Sequence, residues 1–266
     1  MKKYWHVIGI GIQNNLTYRV NYLTRTLFSF IPLFAMLSLW RTIYAGQGGS
    51  ISGYTMAQMI SYYLLVAVVD VLTAVNEDDW QIAADIREGN ISQFLLKPVD
   101  YVWFRLGLFF SGRIAFVAVA LVPLAIFIAC FGHYFVLPVN GTACLAFLLS
   151  LMLTALLQFF ISYAMAMLAF WVLEVSTFIF ILFAFEYIAS GHMFPLDVLP
   201  PALKHALFFT PFPYQMYFPV GIYMGKIAGP ELWQGMLVQT GWVLAAYGFA
   251  RFMWNRGVRH YGAFGG

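Results

Sequence analysis

The chain is 266 residues long, 62% hydrophobic and only 9% charged, with a mean hydropathy of +0.79. No soluble fold of this length buries that much apolar surface, so lipid is the solvent for most of it. The net charge of +3 is small and carries no basic patch beyond juxtamembrane positions, which argues against nucleic acid as a partner.

In chain order, residues 1–23 set Trp5, Val7, Ile8, Ile10, Ile12, Leu16 and Tyr18 among polar positions, the pattern of an interface helix lying in the headgroup layer. Lys2, Lys3, Arg19 and Arg25 are spread along this stretch, and no cleavable signal is evident. Six segments then come close to the 20 apolar residues that cross a ~30 Å hydrocarbon core. They lie near 26–45, 56–75, 105–131, 141–170, 174–191 and 231–254. The expected class is an all-α integral membrane protein with six transmembrane helices, one transmembrane domain over 1–266. Both cysteines, Cys130 and Cys144, fall in or beside apolar runs and read as packing residues.

Lysine and arginine placement orients the spans. With both termini cytoplasmic, the inner face receives Lys2, Lys3, Arg19, Arg25, Arg87, Lys97, Arg105, Arg113, Arg251, Arg256 and Arg259. The outer face receives only Arg41, Lys204 and Lys226.

Residues 76–101 read NEDDWQIAADIREGNISQFLLKPVDY, with eight charged side chains in a chain otherwise poor in them. An acidic first turn (Glu77, Asp78, Asp79) precedes Ile82 and Ile86 at i,i+4 spacing; Gly89-Asn90 supplies a stop and Pro98 blocks the next turn. A short capped amphipathic helix and a further half-turn are expected here, on the cytoplasmic side, suited to gripping a soluble partner.

Residues 188–230 hold seven of the eleven prolines. The stretch is apolar but interrupted every few residues, so short broken helices forming an extracellular re-entrant hairpin are expected instead of one span. Its aromatic residues would otherwise form a large exposed apolar surface.

Three acids lie within or at the ends of spans: Asp70, Glu174 and Glu186. Such groups are costly in lipid and are functional candidates by default. Asp70 reads equally as lying near the inner headgroups, and Glu174 as solvated at the turn around 171–174. Glu186 either lines a path, pairs between subunits, or sits buried in a structural hydrogen bond. No lysine or arginine is expected mid-span to neutralise them, which favours a cationic or neutral amphiphile over an anion. His192 and His205 share the 188–230 region without a Glu or Cys at ligand spacing and read as interfacial; no metal site is expected. There is no G-x-x-x-x-G-K-[ST], H-E-x-x-H, C-x-x-C or G-x-S-x-G sequence, so nucleotide binding and catalysis are not expected on this chain.

The order of these parts, with ADIREGNISQFLLKPVDY (84–101) and GHMFPLDVLP…TPFPYQMYFPVGIYMG (191–225), resembles the membrane subunits of type-2 ABC transporters across essentially the whole chain. The resemblance implies a permease of an ATP-driven exporter moving a small amphiphilic or lipid-like substrate outward by alternating access. It implies two copies of a separate ABC ATPase, which carry the ATP and Mg²⁺, leaving no cofactor here. It further implies a second six-span permease, the same chain or another, in the inner membrane of a bacterium. Residues 76–101 would be the coupling region in an ATPase groove, with Trp80, Ile82 and Ile86 as packing anchors and Asp85, Arg87 and Glu88 setting orientation by ion pairing. Glu186, Asp70, Phe194, Phe212 and Tyr214 are the pathway candidates. An intramembrane lipid-modifying enzyme and an ion-coupled carrier are the alternatives; the first needs convergent His, Asp or Ser groups, the second repeated broken helices.

Overall fold

A computed structural model describes residues 2–17, 19–47, 49–75, 78–131 and 141–261. All regular elements among them are helical: α1 (Lys2–Thr17), α2 (Arg19–Gln47), α3 (Met56–Thr73), α4 (Asp78–Arg87), α5 (Ile91–Leu95), α6 (Tyr101–Phe131), α7 (Gly141–Ala166), α8 (Ser176–Ala189), α9 (Pro201–Phe208), α10 (Tyr217–Tyr223) and α11 (Gly229–His260). Three short 3-10 turns follow α7, precede α9 and follow α9. Glu77 and the side chains of Asp78, Lys2, Lys3, Arg19 and Arg25 lie outside the described residues, so the acidic first turn and the N-terminal part of the charge count are not addressed.

Three helical stretches are long and apolar enough to cross a membrane: Met56–Thr73, Tyr101–Ala120 and Gly141–Phe170. They coincide with the second, third and fourth expected spans. The fifth is the 14-residue α8, about 21 Å long at 1.5 Å per residue and shorter than the hydrocarbon core. The first and last correspond to α2 and α11, which are 29 and 32 residues long.

α7 is the hub, packed by α11, α10, α4 and α3, while α1 and α2 pack on α6. Local chemistry starts α3: Thr55 accepts from the Gln58 amide at 3.3 Å and the Gln58 side chain accepts from the Thr55 amide at 3.0 Å, a reciprocal cap. α1 does not stand apart from the bundle. Val7 and Ile8 face Gly107 and Gly11 faces Ser111, roughly 9–15 Å past the start of α6. Nor is the interior free of cations. Arg113 is buried within α6, its guanidinium 5.2 Å from the Phe116 ring centre, about 18 Å along the helix.

One end of the bundle is tied together by α4, α5, the 171–174 turn and the end of α11. Arg251 pairs with Asp100 at 2.6 Å, the Tyr261 hydroxyl donates to the Gly89 carbonyl at 3.2 Å, and His260 stacks on Trp171. Gly89 has φ +79, the left-handed value that ends α4 where the sequence expects it.

At the opposite end Asp197 gathers three donors. Lys204 reaches it at 2.6 Å, the Tyr54 hydroxyl at 2.7 Å and the Tyr217 hydroxyl at 2.9 Å. Lys226 caps the group, 3.2 Å from the Tyr54 ring centre and 3.1 Å from the Gly53 carbonyl.

Candidate functional site

The segment 190–216 has too many prolines and glycines to satisfy its own backbone by helix hydrogen bonds, so helices around it must do so. Tyr62 in α3 donates its hydroxyl to the Gly191 carbonyl and Tyr63 donates to the Met193 carbonyl at 2.7 Å; Trp40 in α2 donates to the Tyr63 hydroxyl at 2.8 Å. The Tyr217 amide donates to the Ser190 carbonyl at 2.9 Å. Gly191 has φ +87, and a Cβ there would lie 2.8 Å from the Tyr62 hydroxyl, so only glycine turns the chain here. Deeper in, the fully buried Gln239 of α11 donates to the Tyr214 carbonyl at 2.9 Å and accepts from Ser150 of α7 at 2.9 Å. A break in the helix is thus stitched to α2, α3, α7 and α11, by about 1 kcal/mol for each such bond.

This stitching fixes His192. Its Nε2 lies 3.0 Å from Asp70 Oδ2, and its ring sits 4.3 Å from that of Tyr187. Asp70, His192 and Glu186 line one cavity of about 320 Å³ between α3, α7 and α8. α8 presents Ile179, Phe180, Phe183, Glu186 and Tyr187 to it, the i,i+3,i+4,i+7 stripe of one helix face. Gln158, Ser162, Gln215 and Ser190 add to the polar lining, and Asp79 and Trp80 from the start of α4 reach its other end. A second cavity of about 360 Å³ shares Asp70, Phe183, Tyr187 and His192 as a common wall.

The structure therefore joins two of the five pathway candidates, Asp70 and Glu186. It separates the other three. Phe194 packs on the main core, Phe212 joins a small satellite cluster, and Tyr214 is buried against Phe208 and Phe218. His192, read as interfacial from sequence, is instead the partner of Asp70. Its position six residues beyond Glu186, directly after the helix stop, was the available signal.

In the expected coupling region, Ile82 and Ile86 are 1% and 4% exposed and face the chain's own core, where α4 packs on α7 and the following 3-10 turn. They anchor α4 to the bundle and are not available to a partner. Asp85 pairs with the buried Arg105 guanidinium and accepts from Tyr101 at 3.0 Å, so it too is an internal tie. Trp80, Arg87 and Glu88 are exposed. Beside them lie Leu96 at 88% and Leu173 at 90% exposure, apolar side chains that sequence reasoning passed over.

The family described as "ABC-2 family transporter protein" matches residues 30–265. A comparison with curated proteins gives no match. With the apolar helices, the family match makes this a membrane protein and a transport subunit that associates with an ABC ATPase. The chain belongs to the ABC-2 transporter family, the type-2 ABC transporter permeases.

Proposed function

We propose that this chain is the membrane-spanning half of an ATP-driven exporter, carrying a small amphiphilic or lipid-like substrate outward through the cavity between α3, α7 and α8. Two copies of a separate ABC ATPase would bind the end formed by α4, α5 and the 171–174 turn, with ATP and Mg²⁺ held entirely by them. A second six-span permease, a copy of this chain or a different one, would complete the path, in a bacterial inner membrane with both termini cytoplasmic.

One observation carries the reading. α4 is bolted to α7 by Ile82 and Ile86, exposes Trp80, Arg87 and Glu88 at the end of the bundle, and places Asp79 and Trp80 on the cavity wall. A force applied at that end is transmitted through packed side chains to the cavity itself, because tightly packed contacts shift as units. ATPase closure would in this way switch the cavity between inward and outward access.

The test is affinity purification of the tagged chain from its host membranes in mild detergent, with mass spectrometry of its companions. A P-loop ATPase should be recovered, with a second six-span protein at comparable amount if the permeases differ. A chain that comes through alone under several mild detergents contradicts the reading.

A further inference from the structure

The cavity that holds Glu186 is chemically lopsided. Its described lining carries three carboxylates, Asp70, Asp79 and Glu186, with one histidine and no lysine or arginine. His192 is engaged with Asp70. The charged neighbours that act on Glu186 are His192, Asp70 and Asp79, so one base faces three acids. Two buried amides line the same cavity. Gln215 is 1% exposed and turns toward the Glu186 carboxyl, and its Oε1, like the buried Oε1 of Gln158, accepts no hydrogen bond. Buried polar atoms in native proteins find partners, and orphans mark a place where a ligand or water belongs.

We propose that this cavity is the binding site for an organic cation, with an ammonium or amidinium head between Glu186 and Asp70 and an apolar body against Phe180, Phe183 and Tyr187. The inference rests on the permease reading and names the class of its substrate. The carboxylates disfavour an anion, and a cation is the guest that balances three acids against one histidine. A metal ion is disfavoured because no three His, Cys, Asp or Glu among the described residues converge as a ligand set. The aromatic wall suits a cation twice over, as apolar surface and as ring faces that attract positive charge. The side-chain oxygens of Gln158 and Gln215 accept hydrogen bonds from an N–H-bearing head. The adjoining cavity behind Asp70 and His192 leaves room for a longer apolar tail.

The test uses the full chain with its co-purified ATPase in lipid nanodiscs, and two probes of nearly the same size and shape but opposite charge: benzamidinium and benzoate. Binding is measured by equilibrium dialysis against empty nanodiscs. Saturable benzamidinium binding is expected, without saturable benzoate binding. It should weaken at least about tenfold in Glu186→Gln, the loss of one charge-assisted contact, and stay unchanged in Glu231→Gln, at the exposed start of α11. Equal binding of both probes, no saturable cation binding, or an unaffected Glu186→Gln variant overturns the proposal. If Glu186→Gln does not assemble, Asp70→Asn takes its place, and the contrast between the two probes on the unaltered chain decides without any variant. The readout needs neither transport nor ATP turnover. Absent cation binding with the ATPase still attached removes the cation assignment alone, whereas a preparation without ATPase removes the permease reading and this inference with it.

Discussion

Asp197 shows how a single carboxylate holds the broken segment to the bundle. Burial pushes its carboxyl up, but hydrogen bonds from Lys204, Tyr54 and Tyr217 outweigh that and hold it below the usual carboxylate range. The same contacts push the Tyr54 and Tyr217 hydroxyls well above theirs, burial contributing most, so both remain donors at any working pH. Replacing Asp197 with Asn removes the charge that Lys204 and two hydroxyls share and should cost roughly 1–3 kcal/mol. Thermal unfolding of the purified protein reads this directly; an unchanged transition contradicts the assignment. The pH dependence has a defined sign. A carboxyl whose folded value is depressed contributes fully above its unfolded value near ~4 and loses that contribution as pH falls through the lowered folded value. The gap between the unaltered protein and Asp197→Asn should therefore be flat from about pH 5 to 8 and close in stronger acid. Asp197 did not announce its role in the sequence. Tyr54 is 143 residues from Asp197 along the chain, and such pairings are set by how the helices pack.

The element that sequence described best, and misjudged most usefully, is α4. Its existence, its stop at Gly89 and the break near Pro98 were legible because caps and φ restrictions are local. The i,i+4 pair Ile82 and Ile86 also marked one face correctly. Which body that face meets is not a local property, and the structure turns it inward onto α7. A carboxylate at Ile82 would be buried against that core without a partner. Ile82→Asp should lower stability by at least about 3 kcal/mol, so that ATPase association is lost together with the fold. Leu96→Asp, at an exposed position, should leave unfolding within about 0.5 kcal/mol of the unaltered protein. Thermal unfolding of both variants side by side checks this; a stable, well-folded Ile82→Asp protein would show that α4 is not held as described. α8 illustrates the reverse case. Its apolar run, expected over 174–191, forms the 14-residue helix that stops at Ala189 just before Gly191, and the tyrosines of α3 donate to the backbone carbonyls beyond it.

Across the whole molecule the two ends have different chemistry. The end with Asp197 is closed by side-chain hydrogen bonds from the turn before α3, from α9 and from α10. The end with α4 leaves Leu96, Leu173 and Trp171 open beside Arg87, which approaches the Leu173 carbonyl at 3.5 Å. Exposed apolar groups rimmed by charge are what a protein partner covers. Between the ends lies the cavity with Glu186, reached by Trp80 of α4. In the proposed function the ATPase docks on the α4–α5 and 171–174 end while Ile82 and Ile86 stay inside. The most direct measurement places a photo-crosslinking amino acid at Leu96, at Leu173, at Ile82 and, at the far end, at Lys226, in cells that make the whole transporter. Crosslinks to the ATPase are expected from Leu96 and Leu173 and from neither of the others. Crosslinks from Ile82 or Lys226, or none from both Leu96 and Leu173, would contradict it.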